Sequence, residues 1–178
     1  MDNNPEAKEQ KRIGTFMVVL MWILLLAFLI SFFEDVIDRQ INPNQSLNTQ
    51  YTETGVREVE LQRNRYGHYV TDGSINGQPV VFMLDTGATG VAVPQHIAKD
   101  LQLEPGMAIQ VQTANGLATG YDSVLDRVAV DGIELKNIRA IINPNDDTDV
   151  ILLGMSFLKK IEFTQRGDVL ILRQYTQK

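Results

Sequence analysis

The chain has 178 residues, no cysteine, a formal net charge of −6 and a pI near 4.9. An acidic balance argues against nucleic acid as a partner, because phosphate binding relies on clustered Lys and Arg, and the lack of thiols excludes disulfides and thiolate metal sites. Once a leading apolar stretch is set aside, the remainder has room for one domain.

That stretch, Ile13 to Phe33, reads IGTFMVVLMWILLLAFLISFF without a single charge. At about 1.5 Å per residue, a helix of this length crosses the roughly 30 Å hydrocarbon layer of a bilayer. A cleaved signal peptide is the competing reading. Its apolar region would be shorter, about 7–15 residues, and would end at a small-residue cleavage site, which SFFEDVIDRQ does not offer. The sequence therefore predicts a retained transmembrane helix over residues 13–33, preceded by a short N-terminus over 1–12. Lys8, Lys11 and Arg12 come before it, whereas Glu34, Asp35 and Asp38 follow it with Arg39 the one basic residue nearby. Basic flanks resist translocation while acidic ones count little. The expected topology is a cytoplasmic N-terminus in the plasma (inner) membrane, with the body on the periplasmic or extracytoplasmic side.

Residues 34–60 are polar and rich in Asn, Gln and Thr, without a sustained period, and predict a flexible linker. The domain proper, residues 61–178, consists of short β-prone runs cut by turn dipeptides. HYVTDGSI and QPVVFML flank Asn76-Gly77, a hairpin signal because a type I′ turn needs positive φ at both central positions. VPQHIAKDLQL predicts a short helix opened by Pro94, with Ile97, Ala98 and Leu101 on one face. AIQVQT, the turn Asn115-Gly116 and a long run to Val130 predict a second hairpin, followed by Asp131-Gly132 and the strand IELKNIRAII. The fold class is thus mostly β, with one or two short helices.

An internal echo runs through the domain: hairpin, apolar run, Gly-containing turn and short helix occur over Tyr69 to Leu101 and again over Leu125 to Lys160. The first apolar run ends in Asp85-Thr86-Gly87, the second in Leu152-Leu153-Gly154. Only the first copy can do acid–base chemistry. A carboxylate at the end of an apolar strand calls for a partner, since desolvating the charged form is costly. With one such aspartate per chain, the expected partner is Asp85 of a second copy. Two carboxylates held close across an axis share one proton, so that one can accept from a water while the other donates to a scissile carbonyl.

An isolated Asp-Thr-Gly suits an ordinary turn equally well. Here it stands behind VVFML, is followed by Ala88, and is matched by a distant apolar-apolar-Gly run before a short helix. Together these resemble the retropepsin-like aspartic peptidases of clan AA. Ile75-Asn76-Gly77, LDTGAT, Thr113-Ala114-Asn115-Gly116 and LLGMSFL are most similar to its bacterial single-pass membrane members. The resemblance covers about Tyr66 to Arg173 and implies a retropepsin-like closed β-barrel or sandwich and a homodimeric aspartic endopeptidase acting on extended polypeptides, without metal or organic cofactor. It also implies roles. Asp85 would be catalytic, and the Thr86 hydroxyl would bond across the dyad. Gly87 and Ala88 would form the turn that touches the substrate backbone, and Ala114, Asn115 and Gly116 would belong to a flap. Leu153 and Gly154 would pack behind the active loop. Gly90 departs from the pattern, standing where many relatives carry Ser or Asp, and the flap has fewer glycines than viral enzymes. The alternative function is a membrane-anchored, dimeric binding or assembly module that keeps the fold without cleaving; an awkward buried carboxylate has no purpose there.

Other polar residues give weaker signals. His68 and His96 lie far apart in sequence without a recognisable ligand partner, and Asp146, Asp147 and Asp149 lack the ordered ligands and glycine of a calcium loop. Arg166-Gly167-Asp168 reads as a hairpin turn, and Ser123 and Ser156 lack the His and Asp of a catalytic triad.

Overall fold

The computed structural model describes residues 5–51, 55–113 and 116–175. The chain divides into two units, Met1–Arg39 and Gln40–Lys178. The first is occupied by a helix, α1, that extends over Pro5–Ile41. Its stretch Arg12–Ile41 is long and apolar enough to cross a membrane, and the side chains from Ile13 to Phe33 are exposed.

The second unit is mostly β. In chain order it contains β1 (Gln50–Tyr51), β2 (Arg57–Gln62), β3 (Val70–Ile75), β4 (Gln78–Leu84), β5 (Val91–Pro94), α2 (Gln95–Asp100), β6 (Ala108–Thr113), β7 (Gly116–Val130), β8 (Ile133–Asn143), β9 (Ile151–Leu153), α3 (Met155–Leu158), β10 (Glu162–Arg166) and β11 (Val169–Gln174). One sheet has the order β1-β2-β11-β10, the other β3-β4-β9-β5-β8-β7-β6. A further pairing, Ser74 with Ala129 and Ile75 with Val128, joins β3 to β7. Six strands of the second sheet therefore close on themselves as a barrel.

Turn chemistry fixes the register. Asn76 and Gly77 adopt φ of 52° and 84°, the paired positive values of the predicted type I′ turn, and β3 and β4 pair from Ile75 with Gln78 outward. Gly167, at φ 60°, makes the expected turn between Arg166 and Val169. α2 buries Ala98 and Leu101, as its spacing predicts; Pro94 ends β5 at φ −55° and ψ 143° and does not open the first helical turn. Between the sheets lies one core, in which Val59, Leu61, Leu170 and Leu172 meet Phe82, Val91, Leu125, Ile138, Ile151 and Phe157.

Phe82 is fully buried, and its ring fills the space over Gly73, where an added Cβ would come within 2.6 Å of it. Phe82→Ala should lower the unfolding free energy of the full chain by about 3–5 kcal/mol in a urea titration.

The stretch expected to be a flexible linker over residues 34–60 is structured over much of its length. α1 reaches Ile41, β1 and β2 occupy part of the remainder, and Asn42 and Asn44 are buried at 7 % and 3 % exposure. Side-chain amides account for the difference. Asn44 Nδ2 donates to the carbonyls of Gln62 (2.9 Å) and Val70 (2.7 Å), while its Oδ1 accepts from Gln62 N at 2.7 Å. Asn42 Nδ2 donates to Asp72 Oδ1 at 2.6 Å, and Thr49 Oγ1 accepts from Gly132 N at 2.8 Å. Composition alone does not separate polar residues that face water from polar residues that substitute for strand partners.

Candidate active site

The two apolar runs matched in the sequence lie side by side. β4 and β9 pair in parallel, Phe82 with Ile151, Met83 with Leu152 and Leu84 with Leu153, so Gly154 falls beside Asp85. Asp85 N donates to Leu153 O at 3.2 Å, and Met155 N donates to Ala88 O at 2.8 Å. The loop 85–88 is thus tied at both ends to the segment behind it. A Cβ on Gly154 would lie 2.1 Å from Gly90 O and 2.6 Å from Ala88 O, so glycine is required there by close approach of backbone rather than by an unusual φ.

Within the loop, Asp85 Oδ1 accepts from Gly87 N at 2.8 Å. A Cβ at Gly87 would press on that oxygen at 3.1 Å. Asp85 and Ala88 are half-buried, whereas Thr86 and Gly87 are exposed. One carboxylate oxygen is held by a backbone amide, the other is left for external chemistry, and the hydroxyl beside it faces outward.

Ser156 is the residue that sequence reasoning did not credit. It is buried at 7 % exposure, donates from Oγ to Arg139 O at 2.7 Å and accepts from Val91 N at 3.1 Å. It thereby fixes the chain where it leaves the loop. A Cβ at Gly90 would meet only ordinary contacts at 3.6 Å. The available signal was its place directly after Leu153-Gly154-Met155 in a helix that must face the loop.

Of the flap residues, Ala114 and Asn115 lie outside the described residues. Gly116, at φ 106°, pairs with Thr113 at the start of β7. β7 pairs with β8 only from Tyr121 onward, so among the described residues 116–120 pair with β6 alone, with Leu117 exposed.

The remaining candidates are not brought to Asp85 by any described contact. His96 Nε2 lies 3.2 Å from Asp149 Oδ1 at the surface. Asp146 Oδ1 accepts from the backbone and hydroxyl of Thr148, Ser123 donates to Glu104 O, and the Asp168 carboxylate lies 3.6 Å from the Arg63 guanidinium. His68 N donates to Asn64 Oδ1 at 2.9 Å.

A family model described as "gag-polyprotein putative aspartyl protease" matches residues 71–160, the span from β3 to just past α3. A crystal structure of a retropepsin-like aspartic protease from Rickettsia conorii superposes with a TM-score of 0.55 at 30 % identity, covering 72 % of this chain and 94 % of that one. This chain belongs to the retropepsin-like aspartic proteases. The chain is also similar, at 35 % identity over 123 residues, to an uncharacterized protein in the cobV 5′ region of Sinorhizobium sp., covering 67 % of this chain and 53 % of the relative. An uncharacterized protein of Rickettsia prowazekii is 32 % identical over 123 residues, covering 67 % of this chain and 52 % of its own length. The chain therefore spans about half the length of these two relatives.

Proposed function

We propose that this chain is an aspartic endopeptidase, anchored through residues 13–33 and active as a homodimer in which two Asp85 carboxylates share a site. The observation that carries the reading is the holding of Asp85 by Gly87 N and Leu153 O, which aims a half-buried carboxylate outward from the end of an apolar strand. The domain division proposed is residues 1–12 in the cytoplasm, 13–33 across the plasma membrane and the retropepsin-like domain on the far side, as the basic N-terminal flank favours. Within the stretch expected as linker, Asn42, Asn44 and Thr49 bond to the domain edge.

Hydrolysis in such a site balances without a cofactor. One carboxylate takes a proton from a water as the water oxygen bonds to the scissile carbonyl carbon, and the protonated carboxyl gives its proton to the carbonyl oxygen. Collapse of the tetrahedral species breaks the C–N bond: the amide nitrogen leaves as an amine with the proton the first carboxylate took up, and one hydroxyl of the tetrahedral species returns its proton to the second carboxylate, restoring the pair. The substrate is an extended polypeptide, paired through its backbone under the β6–β7 ribbon in the manner of an added strand. Thr86, exposed on the same loop, bonds to the second copy.

The test is hydrolysis of unfolded casein by the purified full chain, with products mapped by mass spectrometry beside an Asp85→Asn preparation. Cleavage independent of Asp85 would reject the reading. Thr86→Ala removes the hydroxyl from both copies, so at about 1 kcal/mol for each of the two bonds lost it should weaken dimerisation roughly 30-fold. Sedimentation in detergent and the steeper dependence of turnover on protein concentration check it.

A further inference from the structure

We infer that the groove between β8, β11 and the turn after α3 is a docking site for an acidic polypeptide segment in extended form. The groove has a volume of about 640 Å³, and Arg57, Lys136 and Lys160 line it together with Leu135, Gln174 and Tyr175. None of these residues belongs to the loop 85–90 or to β6 and β7, so the docking is independent of the peptidase reading.

The backbone supplies an open strand edge. Arg127 donates its N–H to Asn76 Oδ1 at 3.0 Å, and its C=O accepts from Asn76 N at 2.9 Å. Its cross-strand partner is Lys136, and opposite residues of an antiparallel pair either exchange both bonds or both turn them away. Lys136 therefore points its N–H and C=O away from β7. Glu134, two residues earlier, does the same: its N–H donates to Gln174 Oε1 at 3.3 Å, and its C=O accepts from Gln174 Nε2 at 2.6 Å. One side-chain amide thus stands in for a strand partner at Glu134. Farther along this edge Lys160 Nζ reaches Asn137 O at 3.5 Å, and β5 pairs from Ala140 onward. Between them, among the described residues, the N–H and C=O of Lys136 are left open to a further strand.

The side chains decide which strand fits. The Glu134 carboxylate, also in the groove, lies 3.5 Å from the Arg127 guanidinium. Glu162 accepts from Tyr175 Oη at 2.7 Å and from Arg173 at 3.0 Å, which fixes the Tyr175 wall. Both carboxylates are thus engaged, whereas no described carboxylate lies within ion-pair distance of Lys136 or Lys160. In a chain of net charge −6 the groove is a local positive field, built from cations on β2, on β8 and after α3. Cations spread in this way match carboxylates repeated along an extended chain; a single phosphate calls for convergent donors and backbone N–H groups. Lysine on an open edge ordinarily repels other strands. Here it selects among them, admitting a strand that brings carboxylates and rejecting neutral or basic ones.

The experiment is fluorescence anisotropy with the full chain in detergent and labelled peptides of about ten residues, in which Thr alternates with Glu, with Gln or with Lys. The Glu peptide should bind at least about tenfold more tightly than the Gln peptide, and the Lys peptide should not bind. Lys136→Glu should weaken the Glu peptide about tenfold or more and Lys160→Gln about threefold, whereas Lys99→Glu on α2 should change it by less than about twofold. All three lysines are exposed, so the variants keep the fold, which circular dichroism melting checks. N-methylation of alternate peptide residues should cost about fivefold or more if the backbone of Lys136 pairs with the ligand. Equal affinity for the Glu and Gln peptides, equal effects of Lys136→Glu and Lys99→Glu, indifference to N-methylation, or no binding of the Glu peptide would overturn the inference. Displacement of the Glu peptide by inorganic phosphate at equal concentration would do so too, since the groove would then be a site for a compact anion.

Discussion

Asp85→Asn should remove peptide hydrolysis, lowering turnover by at least about 10³-fold, while the thermal unfolding profile changes little. The amide keeps the size of the carboxylate and can still accept the 2.8 Å bond from Gly87 N, so the loop retains its shape. What it loses is the exchange of a proton with water and carbonyl. General acid and base steps each contribute about 10²- to 10⁴-fold, and in a symmetric pair one substitution removes both partners at once, since neither copy then carries the group. Turnover of casein and circular dichroism melting, measured on one preparation, check both halves. Unchanged turnover in the pure variant would sink the peptidase assignment.

Gly154→Ala is expected to be the most damaging single-methyl change in the domain. The new Cβ would stand 2.1 Å from Gly90 O, 2.6 Å from Ala88 O and 2.9 Å from Gly90 C, all backbone atoms that cannot swing aside. Either the loop 85–90 moves off β9, breaking the bonds of Asp85 N and Met155 N, or the barrel opens around it. Overpacking of this kind costs about 1–3 kcal/mol and sometimes more, which for a domain of this size corresponds to a loss of roughly 5–12 °C in Tm. Activity should fall with it. Gly90→Ala is the control, because its Cβ would find only 3.6 Å contacts; it should melt within about 2 °C of the native chain. Equal melting of the two variants would show that the crowding at Gly154 is not a constraint.

How much of this was legible in the sequence depended on the range of the signal. Asn76-Gly77 and Gly167 announce their turns because the backbone conformation there is a local property of those residues. The internal echo marked two apolar runs as counterparts, and the structure makes them the parallel neighbours β4 and β9, a pairing the repeat did not announce. Leu153 and Gly154 were placed behind the loop by the resemblance, and the close approach at Gly154 gives the physical reason. The docking of Asn42 and Asn44 was not legible: an asparagine that bonds to strand backbone and one that faces water are the same letter, and the choice is made by Gln62 and Val70 in a part of the chain that composition does not connect to them. Ser156 escaped for a related reason. It was weighed as a nucleophile, whereas its use is to join Val91 N to Arg139 O across two strands, a job visible only once β5 and β8 are adjacent.

The position of β9 between β4 and β5 has a consequence for the order of assembly. β4 and β5 are consecutive in the chain, yet the turn joining them takes its bonds from Leu153 and Met155, which are synthesised much later. Such non-local closure makes for slow folding, and in a chain synthesised from the N-terminus Asp85 is exposed long before the residues that organise it arrive. On the peptidase reading proposed above, the loop 85–88 gains its support only once Leu153 and Met155 are in place, so the site stays silent until nearly all of the domain's backbone is inside the fold.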